Sequence, residues 1–234
     1  MKIITIADVG EVVIRKSRLA KRLILKIDQT GKPVVTIPSY APYKIAENYA
    51  RKHAQWFKDN IDHSIKPLVL STGSQIGEAH RLTFTASDTT KISSRVGTNS
   101  ITVNHPKELA VNAPEVQKEA QKAAVRALRR QAEAALPSRL HQLAQTYGYS
   151  YREVRIKTVQ TRWGSCSSNR IINLSVWLMQ LPHSLQDYVL CHELAHLNNM
   201  NHSAAFWAEV ATMIPDYKLR RKHLKQFSPR LLQT

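Results

Sequence analysis

The stretch from Cys191 to Trp207 reads CHELAHLNNMNHSAAFW. In it His192 and His196 stand four residues apart, with Glu193 beside the first. On an α-helix, residues i and i+4 share one face about a turn apart, so both imidazoles can reach a single tetrahedral ion. Glu193 lies one step round the helix, beside the open coordination position rather than in the shell. This is the spacing of H-E-x-x-H hydrolases, in which two histidines hold Zn²⁺ and the glutamate takes a proton from the activated water. With ten histidines and ten glutamates in 234 residues, about 0.02 chance matches are expected. The flanks suit a buried helix: Ser184 and Asp187 mark a start, and Leu185, Tyr188, Val189, Leu194 and Ala195 supply apolar positions. The competing reading is a core helix with two hydrogen-bonded histidines and no metal.

A third ligand is expected at His202, six residues beyond His196, as in H-E-x-x-H-x-x-G-x-x-H sites. In that pattern a glycine turns the chain off the helix. Here Asn199 occupies its place within Asn198–Asn199–Met200–Asn201, and asparagine tolerates positive φ better than most residues. The rivals are Glu209 on the following helical segment and His223. If His202 is the ligand, Glu209 becomes a group that braces the ligands or a surface charge.

Working outward, EVVIRKS, KRLILKID and VVTIPSY read as strands, the first two joined by a basic turn at residues 17–20. Alternation predicts Val13, Leu23, Leu25 and Ile27 on buried faces. APYKIAENYARKHAQWFKDNI has helical spacing through Ile45, Tyr49, His53 or Ala54, and Phe57. GSQIGEAHRLTFTAS and SITVNHP are further strands. Residues 114–148 form an Ala-rich helix that Pro137 should kink or break and Gly148 should end. VRIKTVQ and RIINLSV are strands flanking the turn-rich TRWGSCSSN. The expected class is α+β, with a β-rich region over 1–108 and a mainly helical metallohydrolase domain over 109–234.

The formal charge of +17 favours polyanionic partners, nucleic acid among them, or a basic solvated surface. No apolar run approaches membrane-spanning length, and the amino terminus does not read as a signal peptide. Cys166 and Cys191 are the two cysteines, not in a CxxC pair, so a cytoplasmic setting is expected.

On RWGSCSSNRIINLSVWLMQLP, DYVLCHELAHLNNMNHSAAFW and PDYKLRRKHL, the chain resembles the YgjP-like metallopeptidase family, related to SprT-like and WLM zinc peptidases. The likeness extends more weakly to the amino-terminal strands and the QWF helix. It implies His192, His196 and His202 as ligands of one Zn²⁺ and Glu193 as general base. It also implies a zincin-like α+β fold whose small antiparallel sheet, around residues 162–173, borders the active-site helix.

That strand could hold an extended substrate through its backbone, with Gly164 allowing close approach. Arg162 could bind a substrate carboxylate or phosphate or stabilise a tetrahedral intermediate, and Arg162 and Trp163 could equally buttress the turn. Tyr217 is a candidate oxyanion donor, with ordinary packing as its rival. Cys166 and Cys191 read as buried thiols, and Phe206 and Trp207 as core residues that could wall the pocket. The leading expectation is peptide-bond hydrolysis of a peptide or protein. Hydrolysis of a nucleoside triphosphate such as UTP at the same metal is the alternative, with no Gly-rich phosphate loop to support it. A non-catalytic nucleic-acid-associated zinc protein is a third, disfavoured because structural sites are usually closed by a fourth protein ligand.

Overall fold

The computed structural model describes residues 1–28, 31–61 and 69–230. The fold is α+β and divides into two units, Met1–Leu68 and Val69–Thr234. In the first, four strands, β1 (Lys2–Ile6), β2 (Gly10–Ser17), β3 (Ile24–Ile27) and β4 (Pro33–Pro38), form a sheet in the order β1-β2-β4-β3. The strands joined by the basic turn are therefore not partners: β4 lies between them, parallel to β2 and antiparallel to β3. β1, which the alternation argument does not reach, pairs antiparallel with β2.

The buried face of β2 is also the opposite of the predicted one. Val12 and Ile14 are fully buried and Val13 only partly, because Val12 and Ile14 join Val35, Ile37 and Phe57 in the core of this unit. The predicted single helix is two, α1 (Tyr43–Lys52) and α2 (Ala54–Ile61), separated at His53. Small residues, Ala46 and Ala50, make the buried stripe of α1, and Ile45 stays half exposed.

The second unit is organised by α3 (Pro114–Tyr147), which is 34 residues long and passes through Pro137 as one element. Proline cannot donate to the i−4 carbonyl, but its neighbours Leu136 and Leu140 are buried, so packing holds the helix across the missing bond. α3 packs on the sheet of β5 (Gln75–Ile76), β6 (His80–Ser87), β7 (Ser93–Val96) and β8 (Ser100–Pro106), ordered β5-β6-β8-β7. The strand-to-helix transition near residue 108 thus falls inside this unit. Two buried glutamines of α3 satisfy loop backbone: Gln117 bridges Leu70 N–H and C=O, and Gln131 accepts from Glu78 N–H and donates to Ile76 C=O.

A three-stranded sheet follows, built from β9 (Glu153–Lys157), β10 (Gly164–Cys166) and β11 (Ile171–Ser175) in the order β10-β11-β9. It is mixed rather than wholly antiparallel: β10 opposes β11, which runs parallel to β9. A 3₁₀ turn, Val176–Gln180, leads into α4 (His183–Ala195), then α5 (Ala204–Met213) and α6 (Tyr217–Leu224). Pro182, not Ser184, occupies the cap of α4. Asp187 instead accepts two hydrogen bonds from Arg139 of α3, at 2.7 and 2.6 Å. Among the described residues, no helix is long and apolar enough to cross a membrane.

Candidate metal centre

α4 is buried along Leu185, Val189, Leu190, Cys191 and Leu194, which fixes its rotation. That rotation sends His192 and His196 to the side facing β10. The chain leaves the helix at His196, turns through residues 197–201, and restarts at α5, where the Ser203 hydroxyl accepts from Phe206 N–H. His202, just ahead of this cap, is thereby returned to the other two histidines. The Nε2 atoms of His192 and His202 face each other at 3.1 Å, and one ligating atom from each of the three rings lies within 4.8 Å of the others. Tetrahedral nitrogen ligands at about 2.0–2.1 Å from zinc sit about 3.3 Å apart, within this span.

The protonation pattern fits a metal. His196 Nδ1–H donates to the Asn199 carbonyl at 3.0 Å, and since a carbonyl only accepts, this bond leaves Nε2 as the ring nitrogen free to face an ion. Burial, then repulsion from His196, His202 and Arg221, lowers the His192 pKa to about 3, so its imidazole stays neutral. Burial and the same neighbours His196 and Arg221 also lower His202. Three imidazoles converging from one side suit a divalent ion such as zinc and leave further coordination positions toward the cleft.

Phe206 forms the floor of this cluster, with ring centroids 4.9, 4.5 and 4.8 Å from those of His192, His196 and His202. The exposed His202 is stacked on Trp207 at 5.5 Å, and Trp207 carries Tyr217 stacked at 5.4 Å and the Arg221 guanidinium at 4.5 Å. Phe206 and Trp207 therefore wall the site as well as filling space.

Glu193 is 4% exposed, and its Oε2 has no hydrogen-bond partner among the described residues. Burial raises its pKa to about 8, and the nearby charge of Arg162 opposes the rise. A carboxyl poised near neutrality beside a metal site is what general-base chemistry requires. Gly164 of β10 abuts it: a Cβ there would lie 2.6 Å from Glu193 Oε1.

Of the residues singled out in sequence, the structure brings His192, Glu193, His196, His202, Arg162 and Gly164 to one open cleft, together with Thr161, Ser165, Cys166 and Met200. Trp163 and Tyr217 do not line it: Trp163 C=O accepts from Ser175 N–H, and Tyr217 lies against Trp207. Cys166 is half-buried with its thiol pushed up to about 11 by burial, and Cys191 is fully buried. Glu209 is not in the ligand cluster.

Residue Asn199 does not take positive φ. Among the described residues the non-glycine positions with positive φ are Asp8 and Arg170. Its side chain instead donates to Glu209, as does Asn198 Nδ2 at 2.5 Å, and Tyr149 O–H donates to the same carboxylate at 2.6 Å. Nothing local in the sequence links Tyr149 or Asn199 to this carboxylate, because the partners lie 60 and 10 residues away.

The YgjP-like metallopeptidase domain matches the chain over residues 21–227. The chain belongs to this family. Membership makes the YgjP-like chain a metal-dependent peptidase. Among solved structures, the crystal structure of the metallopeptidase zymogen of Pyrococcus abyssi abylysin is similar. That similarity is 27% in identity with a TM-score of 0.34, covering 38% of this chain and 90% of that one. No curated protein matches the YgjP-like chain.

Proposed function

We propose that the protein is a zinc-dependent peptidase in which His192, His196 and His202 hold one ion and Glu193 is the general base. The observation that carries this reading is the convergence of three imidazoles beside a buried carboxyl of raised pKa. A divalent ion held there supplies Lewis acidity to the scissile carbonyl and the attacking water. Glu193 takes the proton from that water and passes it to the leaving amine. Its burial keeps competing hydrogen bonds away from Oε2.

β10 is an edge strand of its sheet, and its three residues line the cleft. An extended peptide can pair with that edge, so the backbone of Gly164, Ser165 and Cys166 aligns the scissile bond above the histidines. Arg162, exposed in the same cleft, offers a guanidinium to a substrate carboxylate or to the developing oxyanion. All these groups fall within residues 109–234. Two free cysteines, Cys166 and Cys191, fit the reducing cytoplasm as the site of action.

The test is to strip the protein of metal, restore zinc, and incubate it separately with an unstructured protein and with UTP. New peptide termini that appear only after zinc is restored support the reading. Pyrophosphate release without new termini would replace it with nucleotide hydrolysis.

A further inference from the structure

We propose that Glu209 is a positioning residue for the metal ligand His196, acting through Asn199; the inference rests on the metal site assigned above. Glu209 lies on α5, seven residues after His202, and three hydrogen-bond donors from two other segments converge on its carboxylate. Tyr149 O–H and Asn198 Nδ2 donate to Oε1 at 2.6 and 2.5 Å, and Asn199 Nδ2 donates to Oε2. The same Asn199 presents its backbone carbonyl to His196 Nδ1–H at 3.0 Å. One residue thus connects a carboxylate to a metal-facing imidazole by two hydrogen bonds, one through its side chain and one through its main chain.

The chemistry favours a carboxylate at this point. An ionised carboxylate only accepts, and its two oxygens offer about four lone-pair sites to the three donors. A primary amide in its place would aim N–H groups at one of those donors. Tyr149 reaches the cluster because Gly148 ends α3 in the left-handed conformation, φ 74°, with Tyr149 N–H bonded back to Ala144 C=O. The end of α3, the turn after α4, and α5 are therefore tied at a single carboxylate.

The consequence falls on His196. The turn at residues 197–201 contains no glycine and takes no left-handed residue; Leu197, Asn198 and Asn199 N–H bond back to the Leu194 and Ala195 carbonyls, and the side-chain bonds to Glu209 hold the turn from its other side. Holding Asn199 fixes the carbonyl that selects the Nδ1–H tautomer of His196 and sets the plane of its ring. Partners of this kind behind a metal-bound histidine typically change metal affinity about 10–100-fold when removed.

The test compares Glu209→Gln, Glu209→Ala, Asn199→Ala and the Glu209→Ala/Asn199→Ala double variant with wild type. Three quantities are read: zinc affinity by competition with a chelator, the visible spectrum of the Co²⁺-substituted protein, and the melting temperature without metal. Each single variant should weaken zinc binding by about 10–100-fold and alter the Co²⁺ spectrum. The double variant should lose no more than the worse single one, because both break one chain of bonds. Folded variants with wild-type zinc affinity and Co²⁺ spectrum, whatever their melting temperatures, would overturn the inference. If the Glu209 variants do not fold, Asn199→Ala decides alone. Wild-type protein that binds no zinc would remove the underlying metal site itself, whereas His196-dependent zinc binding with unaffected variants would remove only the role of Glu209.

Discussion

Gly164 and Glu193 are in contact: the space a Cβ would occupy on Gly164 is taken by the Glu193 side chain, 2.6 Å from Oε1 and 2.8 Å from Cγ and Cδ. The glycine is thus required by the Glu193 side chain, the proposed general base, rather than by a turn. Gly164→Ala should push the carboxylate from its position by a fraction of an ångström to about 1 Å, a displacement that can cost about 100-fold in rate. Zinc content should be unchanged, since the three atoms nearest the new methyl group all belong to Glu193. Steady-state kinetics with metal analysis checks this; a Gly164→Ala enzyme of wild-type kcat would contradict it.

His202, the proposed third ligand, is the exposed member of the trio and is held by ring contacts with Trp207 and Phe206. His202→Ala should lower zinc affinity by at least about 100-fold, more than loss of a supporting bond would. Trp207→Ala should lower it less, by freeing the ring. Isothermal titration of metal-free protein measures both, and an unchanged affinity in His202→Ala would remove it from the shell.

A pH effect follows from the buried imidazole. In the metal-free folded protein His192 has its pKa lowered from 6.5 to about 3, chiefly by burial. Between these values the unfolded chain binds a proton that the folded chain does not, so stability rises with pH through that window. The contribution is complete above about pH 6.5 and is lost as pH falls toward 3. Chelated wild-type protein should therefore lose melting temperature between pH 7 and pH 4 more steeply than His192→Asn. Parallel slopes would contradict the assignment.

Arg139 and Asp187 join α3 to α4, the helix that carries His192 and Glu193. The pair is bidentate but partly solvated, with Arg139 42% exposed and Asp187 22%. Asp187→Ala should cost about 1–2 kcal/mol, discounted from a buried pair by solvent screening. In a unit of this size that lowers Tm by about 3–6 °C. Thermal melts check it, and a change under 1 °C would show the pair to be inert.

The sequence was legible where chemistry depends on local geometry. Two histidines four apart share a helix face whatever surrounds them, so His192, Glu193 and His196 could be grouped before any tertiary information. It was less legible where partners are distant. β10 is three residues in a turn-rich segment, and it exists as a strand because β11 pairs with it. Val12, Val13 and Ile14 are consecutive apolar residues, so alternation alone could not choose the buried face; packing did. Pro137 has an unfavourable local preference that burial of Leu136 and Leu140 overrides. Asn199 looked like a stand-in for glycine, but its part is set by Glu209 and His196, which backbone preference does not encode.

The most direct test of the central claim is the behaviour of Glu193→Gln. The exchange keeps the shape of the side chain and leaves all three imidazoles, but it removes the carboxylate proposed as proton acceptor. Zinc content and peptide cleavage should be measured on the same preparation. The account predicts one zinc per chain, as in wild type, and a loss of cleavage of about 10²–10⁴-fold. Cleavage at the wild-type rate by zinc-loaded Glu193→Gln would contradict it.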